Sequence, residues 1–352
     1  MKILATLGDF SRLQGQLVLV DLLQETWEIV LDYLPPSHLQ VYGKGFTGAV
    51  WTGKPGTSDL LVCGYAAVFR VNPNLWCVTD ILHRPDMNDL HHLAIAGEHL
   101  YLANTGLDRI DCYLMNGGYL GGYDLIPAWL GLKRQTHQHN QEDCFAIQQL
   151  AWTEETPQSS QARVSSTDAY YQNQVETQLP FHRRRVRDCI HPNHLSCFGQ
   201  QLLVTRFRDR CVQDLRNWRI VIDDLPGYPH DGFVQDGCFW LTTTNGYLLA
   251  YAVDALGVTD QLVMQIALFD RFGHTGWCRG LLVTEDYFIV ALTGIYERKI
   301  VRWCDRATEQ TETSILLIRR NDLSLCARVN MESVSKQPKI FTLLPWLGMV
   351  TK

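Results

Sequence analysis

Three segments of this 352-residue chain share one pattern, and this repetition restricts the possible folds more than any other feature. The segments read HHLAIAGEHLYLANT at 91–105, NHLSCFGQQLLVTRF at 193–207 and HDGFVQDGCFWLTTT at 230–244. Each begins with a polar pair that includes a His, turns at Gly or Asp, and then enters an apolar strand. Self-similarity of this kind indicates a fold assembled from copies of one supersecondary unit.

Short apolar runs rich in β-branched and aromatic residues alternate with turn residues such as Asn245-Gly246, which is typical of an all-β meander. The runs group into four-strand units at 45–82, 90–126, 191–225, 230–269 and from Arg279 onward. The N-terminus supplies three more strands, and the tail supplies one at 339–346. Together these would complete a sixth unit and remove the open edge. The sequence therefore predicts an all-β fold, a single six-bladed β-propeller domain over 1–352 that is closed by its N- and C-terminal strands.

Residues 130–190 interrupt this rhythm between the third and fourth blades. The segment is rich in Gln, Ser, Thr and Asn and ends in the basic run HRRRVR at 182–187. An insertion of this length within a compact fold is typical of a functional lid or of a disordered loop. We therefore expect it to be a lid over the channel, with a solvated charged loop as the alternative.

Alignment of the innermost strands brings polar residues of different blades to two adjacent positions. Successive residues of a strand point to opposite faces, so only one of the two positions would face the channel. The first position holds His92, His194, Asp231 and Gly280. The second position, one residue earlier, holds His91, Asn193, His230 and Arg279.

The two positions predict different chemistry. If the first faces the channel, two imidazoles and one carboxylate converge, a donor set that suits Fe(II), Zn or Mn. If the second faces the channel, two imidazoles meet an Arg and an Asn, which favours an anion site with a general base. His191 and His274 lie in the loops just before these strands and would add a further imidazole. Polar residues at such positions also serve to bond one blade to the next.

Composition narrows the class of partner and the compartment. The net charge of −6 gives no indication of a nucleic-acid partner. The 11 Cys are scattered without a CxxC pair, which favours a reducing compartment, so we expect a cytoplasmic protein. The sequence also contains no apolar run long enough to predict a membrane span.

The blade sequence HHLAIAGEHLYLANTG at 91–106 resembles the six-bladed propellers of the SMP-30, strictosidine-synthase and NHL type. The segment WCRGL at 277–281, followed by VALTG, is similar to the last blade of bacterial propellers of the DUF4915 kind. The sugar lactonases of this class hold Ca²⁺ or Zn²⁺ with Glu, Asn and Asp, whereas this chain has His at the corresponding channel positions. The resemblance therefore implies the fold and does not imply lactonase activity.

We predict from these residues a metal-dependent enzyme, with iron or zinc, that acts on a small anionic substrate at the channel mouth. Two alternatives stay open: a non-catalytic scaffold for a protein or peptide, and a metal-free lyase or hydrolase with His91 or His230 as base. The predicted partner is a small-molecule substrate, and neither nucleic acid nor membrane is expected. The predicted metal ligands are His92, His194, His230 and His274. The predicted catalytic residues are Arg279, His91 and Asp231.

Overall fold

The computed structural model describes residues 1–125, 152–153, 189–295 and 311–346. Within these ranges the strands form six antiparallel sheets of at least four strands each. Strands of each blade contact those of the next around a closed ring. The predicted six-bladed β-propeller is therefore confirmed.

The first blade joins the two ends of the chain, as predicted. Strand β25 (Pro338–Pro345) pairs antiparallel with β1 (Lys2–Asp9), which continues to β2 (Gly15–Asp21) and β3 (Thr26–Tyr33). Because β25 is the innermost strand, the C-terminal segment closes the ring from the channel side.

The other five blades each run from the innermost strand outward in chain order. The second contains β4 (Ala49–Trp51), β5 (Leu60–Cys63), β6 (Val68–Asn72) and β7 (Cys77–Leu82). The third contains β8 (Leu90–Ala96), β9 (His99–Asn104), β10 (Arg109–Leu114) and β11 (Tyr119–Asp124). The fourth contains β13 (Pro192–Phe198), β14 (Gln201–Arg206), β15 (Cys211–Asp214) and β16 (Arg219–Ile222). The fifth contains β17 (Phe233–Gln235), β18 (Cys238–Thr242), β19 (Tyr247–Asp254) and β20 (Gly257–Ala267), and the sixth contains β21 (Trp277–Val283), β22 (Tyr287–Thr293), β23 (Ser314–Arg319) and β24 (Leu325–Asn330).

The long insertion lies between the third and fourth blades, as predicted, and most of it falls outside the described residues. It includes the two-residue strand β12 (Trp152–Thr153), which adds a fifth strand to the outer edge of the third blade. The predicted lid therefore stays a prediction. The short helix α1 (Leu268–Phe272) follows the fifth blade. No helix among the described residues is long and apolar enough to span a membrane.

The apolar side chains of β1, the second strand of the first blade, pack into the interfaces on both sides of that blade. Ile3, Ala5 and Leu7 of β1 pack toward the sixth blade, whereas Leu4 packs toward the second. Alternation along a strand sends neighbouring side chains to opposite faces, so a strand buried on both faces is apolar throughout. Within the described ranges, six apolar clusters fill the spaces between neighbouring blades.

Hydrogen bonds also link each blade to the next near the channel. The carbonyl of Thr47, for example, accepts a hydrogen bond from the Thr6 hydroxyl at 2.6 Å, and the Thr47 hydroxyl donates one to the carbonyl of Leu90 at 2.7 Å. Equivalent bonds continue around the ring as Thr105 to Pro192, Asn193 to Pro229, Gly280 to Asp231 and Thr293 to Ile340. Residues near the channel therefore fix the positions of the blades relative to one another.

Candidate functional site

The polar pairs singled out by the sequence repeat lie at β-bulges in three of the inner strands. A bulge places extra residues opposite one partner and changes the direction of the local side chains. It therefore helps to decide which member of each pair points toward the channel. The pairing register shifts between Leu90 and Leu93, between Pro192 and His194, and between Cys278 and Leu281.

The second position of the alignment faces the channel. His91, Asn193, His230 and Arg279 all line one cavity of about 190 Å³ at the channel mouth. The structure therefore brings together the set that the sequence associated with an anion site. The side chains of the first position, listed here as His92, His194 and Asp231, do not line this cavity.

Arg279 carries a buried positive charge that no carboxylate of the described residues pairs with. The residue is 8% exposed, its Nε is buried without a hydrogen-bond partner, and no described residue forms a hydrogen bond or an ion pair with the guanidinium. Its Cζ lies 4.7 Å from the ring centroids of both Trp277 and Phe341, so both rings contact the guanidinium. Burial lowers the pKa of Arg279 to about 9, and the charge of Asp231 offsets this only in part.

His230 is the second unsatisfied group of the cavity. It is 7% exposed, and neither ring nitrogen has a hydrogen-bond partner among the residues described. Burial, and then the charge of Arg279, lower the pKa of His230 well below the usual value for an imidazole. His230 is therefore held in its neutral form, which can accept a proton.

His91 is held in place by a chain of hydrogen bonds. Its Nδ1 lies 2.7 Å from Oδ1 of Asn193, while Nδ2 of Asn193 donates to the carbonyl of Pro229 at 3.1 Å. The second bond assigns Oδ1 as the group facing His91, so Nδ1 of His91 is the donor. Nε2 of His91 lies 3.5 Å from Asp89, which forms an ion pair with Lys44 at 3.0 Å.

The closing strand supplies Lys339 to the same cavity. The residue is 4% exposed, and its Nζ donates a hydrogen bond to the carbonyl of Gly43. Its Nζ lies 4.1 Å from the ring centroid of Phe10 and 5.5 Å from that of Phe341. Burial, and then the charges of Lys44 and Arg279, lower the pKa of Lys339 well below its ordinary value.

The cavity lining is strongly cationic, although the protein carries a net charge of −6. Its basic side chains are Lys44, Arg208, Arg279 and Lys339, whereas Asp89 is the single acidic side chain that the described residues contribute to the lining. A concave, low-dielectric surface with charges of one sign attracts counter-ions of the other sign. The arrangement therefore suits an anion, and in particular a carboxylate or phosphate, which match the planar donor fork of Arg.

The predicted metal ligands His92 and His194 stack on each other. Their ring centroids are 3.5 Å apart and their planes differ by 24°. Lone pairs of imidazole nitrogens lie in the ring planes, so those of nearly parallel stacked rings do not converge on one ion at the usual distance of about 2.0–2.1 Å. Nδ1 of His92 also accepts the backbone N–H of Leu195 at 3.2 Å. Burial lowers the pKa of both, that of His194 to about 3.

The other predicted ligands do not complete a metal site either. His274 lies 3.3 Å from Glu312 and does not line the cavity that holds His230. Among the described residues, no group of three or more His, Cys, Asp and Glu side chains is placed to hold a metal ion. The predicted metal binding is therefore not supported by the side chains present.

Asp231, predicted to be catalytic, bonds the fifth blade to the sixth. Its carboxylate accepts the backbone N–H of Gly280 at 3.1 Å and the hydroxyl of Thr242. Burial raises its pKa to about 6 despite these bonds.

His191 lines the cavity, and its ring lies edge-on to that of His91, with the centroids 4.7 Å apart.

Sequence reasoning missed the contribution of Lys339, Lys44 and Phe341. The sequence predicts the closing strand KIFTLLPW, but this strand lies outside the repeat that aligns the other inner strands. Alternation along it puts Lys339 and Phe341, two residues apart, on one face of an inner strand. Lys44 lies in the loop before β4, where the sequence gives no periodic signal.

The fold and the cavity together define a six-bladed β-propeller with a cationic, His-containing site at its channel mouth. No protein-family model and no curated protein matches this chain. Among solved structures it is similar to a protein of unknown function from Bacteroides caccae, at 10% identity and with a TM-score of 0.58. That similarity covers 98% of both chains, and at this identity it shows the fold alone. The narrower resemblances drawn from the sequence stay predictions.

Proposed function

We propose that the channel mouth binds a small molecule carrying a carboxylate or phosphate, and that the protein acts on it as a metal-free lyase or hydrolase. The observation that carries the proposal is the buried guanidinium of Arg279, which lacks a partner within the described ranges. Burying a charge without a partner is costly. A bound anion would supply that partner and accept two parallel hydrogen bonds from the guanidinium.

His230 is the proposed general base. It lines the same cavity as Arg279, and the charge of Arg279 contributes to its lowered pKa. An anion bound to Arg279 would offset that charge and raise the pKa of His230. The base would therefore become stronger when the substrate is bound, which brings its pKa closer to the value that suits proton transfer near neutral pH.

The metal-dependent alternative has less support from the side chains present. It requires the first-position residues to converge, whereas His92 stacks on His194 and Asp231 bonds to the sixth blade. The channel-facing imidazoles of His91, His191 and His230 are instead accompanied by cations, which oppose the binding of a metal ion.

Calorimetric titration with phosphate and with pyruvate tests the anion site. We expect Arg279→Gln to weaken binding by about 10- to 100-fold, the equivalent of one or two charged hydrogen bonds. Arg319→Gln is the matched control, because Arg319 is exposed and pairs with Asp322 at the surface. Equal affinity in the wild type and Arg279→Gln would reject the proposed site.

The catalytic half of the proposal is tested separately. A panel of small carboxylates and phosphate esters is incubated with the protein, and their conversion is followed by NMR. We expect His230→Asn to retain anion binding and to lose turnover of any compound that the wild type converts. Turnover unchanged in His230→Asn would remove His230 as the base, and binding without turnover across the panel would favour a non-catalytic role.

A further inference from the structure

Lys339 is a buried amine in the same cavity, and the base role proposed for His230 makes no use of it. The closing strand β25 carries it into the channel, where it is 4% exposed. Its Nζ donates to the carbonyl of Gly43, and in the described residues no carboxylate lies within ion-pair distance of it. One hydrogen bond leaves the other two protons of an ammonium without such partners.

The charges facing Lys339 disfavour its protonated form. Two cations, Lys44 and Arg279, raise the cost of a third charge, and the acids Asp89 and Asp9 reduce that cost. Asp89 already pairs with Lys44 at 3.0 Å, and Asp9 accepts bonds from Ser11. The rings of Phe10 and Phe341 favour the ammonium. Burial is the largest cause and, together with these charges, lowers the pKa of Lys339. A desolvated lysine of this kind serves as a nucleophile toward carbonyl groups.

The position of Lys339 relative to Arg279 suits a compound with two functional groups. The guanidinium Cζ of Arg279 lies 4.7 Å, and Nζ of Lys339 5.5 Å, from the centroid of the same ring, Phe341. A compound whose carboxylate binds to Arg279 would therefore lie against the ring that Lys339 also contacts. We infer that Lys339 forms an imine with an aldehyde or ketone whose carboxylate or phosphate binds to Arg279. This inference rests on the proposed anion site.

The reaction balances without an oxidant or reductant. The Nζ lone pair of Lys339 attacks the carbonyl carbon, the carbon–oxygen π bond breaks, and the oxygen takes up a proton to give a carbinolamine. The remaining carbon–oxygen bond then breaks, and the oxygen departs as water after receiving a second proton. Counted from the ammonium, one proton leaves Nζ before the attack and a second leaves it after the carbon–nitrogen bond has formed; both end on the departing oxygen, and the product is a protonated imine. A positive charge on the nitrogen next to the substrate carbon would then aid proton removal by His230.

Reductive trapping tests the inference. The full-length protein is incubated with pyruvate or glyoxylate and sodium cyanoborohydride, and the modified lysine is located by peptide mass spectrometry. We expect one reduced adduct at Lys339, which is lost in Lys339→Met. Lys336→Met is the matched control, since Lys336 is an exposed lysine three residues away, and it keeps the adduct.

Comparison with the binding experiment separates the two proposals. Trapping at Lys339 that falls at least about tenfold in Arg279→Gln supports both, since a lost charged hydrogen bond is worth that factor. Pyruvate binding that depends on Arg279 without an adduct at Lys339 overturns the imine and leaves the anion site. An adduct at Lys339 that is equally strong in Arg279→Gln supports the reactive lysine but removes the anion site from its action. Adducts spread evenly over surface lysines overturn the inference.

Thermal unfolding of Lys339→Met and of the conservative Lys339→Arg establishes that loss of the adduct is not loss of the fold.

Discussion

Arg279 combines a buried charge with a setting that does not neutralise it. Trp277 and Phe341 lie against it, and Asp231, the acid that most affects it electrostatically, accepts the backbone N–H of Gly280. Proteins retain such a group when it serves binding at the expense of stability. Arg279 should therefore strengthen anion binding and lower the free energy of unfolding.

Replacement of Arg279 tests whether its buried charge lowers the stability of the protein. We expect Arg279→Met to raise the free energy of unfolding by about 1–3 kcal/mol, because an apolar side chain replaces an unsatisfied buried group. Urea unfolding at neutral pH measures the change. Arg319→Met, at the surface, should stay within about 0.5 kcal/mol of the wild type. A destabilised Arg279→Met would mean that the charge is satisfied in the folded protein.

His194 makes stability depend on pH in a defined direction. Burial lowers its pKa to about 3 in the folded state, whereas an imidazole in the unfolded chain titrates near 6.5. Below about 6.5 the unfolded state therefore binds a proton that the folded state does not, and stability is lost as the pH falls. Between about pH 6 and pH 4, the wild type should lose about 1.4 kcal/mol per pH unit more than His194→Leu. Parallel stability curves from urea unfolding would contradict the account.

At the scale of the strand, the bulge in β21 positions Arg279. Gly280 follows it with a φ of +87°, and an added Cβ would lie 3.2 Å from Ala291 and 3.3 Å from Leu343. We expect Gly280→Ala to destabilise the protein by about 1 kcal/mol or more and to weaken anion binding, because the bulge would shift and carry Arg279 with it.

Gly199→Ala separates the two effects of that substitution. Gly199 also has a positive φ, of +56°, but an added Cβ would meet nothing within 4 Å. It should therefore show the cost of the backbone conformation without a change in anion affinity, as measured by calorimetry. Equal losses of affinity in both variants would show that the bulge does not position the anion site.

The bulges also explain why the sequence left two arrangements open. Alternation predicts that His91 and His92 point to opposite faces, but it does not say which one faces the channel. That choice depends on the register shift between Leu90 and Leu93, which has no marker in the residues themselves. In β21 the pair Arg279-Gly280 does contain such a marker, because Gly favours a positive φ at a bulge.

At the scale of the whole molecule, the blade grouping and the closure by β25 were predictable because they follow from short-range patterns. The composition of the site was not fully predictable. Lys339 and Lys44 reach the cavity from the closing strand and from a loop, and neither belongs to the repeat that located the histidines. A site at the axis of a propeller collects side chains from every blade, so a partial alignment gives only part of it.

The metal content of the intact protein tests which set of histidines is functional. Protein purified without a His tag and supplied with Fe, Zn, Mn or Cu should contain no stoichiometric metal by elemental analysis, because the rings of His92 and His194 stack and do not converge. Stoichiometric metal that is lost in His92→Ala and in His194→Ala would restore the metal-dependent hypothesis. A surface variant such as His99→Ala serves as the control for metal bound elsewhere.

Anomalous diffraction from crystals of the protein soaked in selenate, an anion of the charge and shape of phosphate, tests directly whether Arg279 binds an anion. We predict a selenium peak in the cavity within bidentate hydrogen-bonding reach of the Arg279 guanidinium, and no such peak in Arg279→Gln. A guanidinium paired with Asp231, or a cavity without a peak while selenate binds elsewhere on the protein, would contradict it.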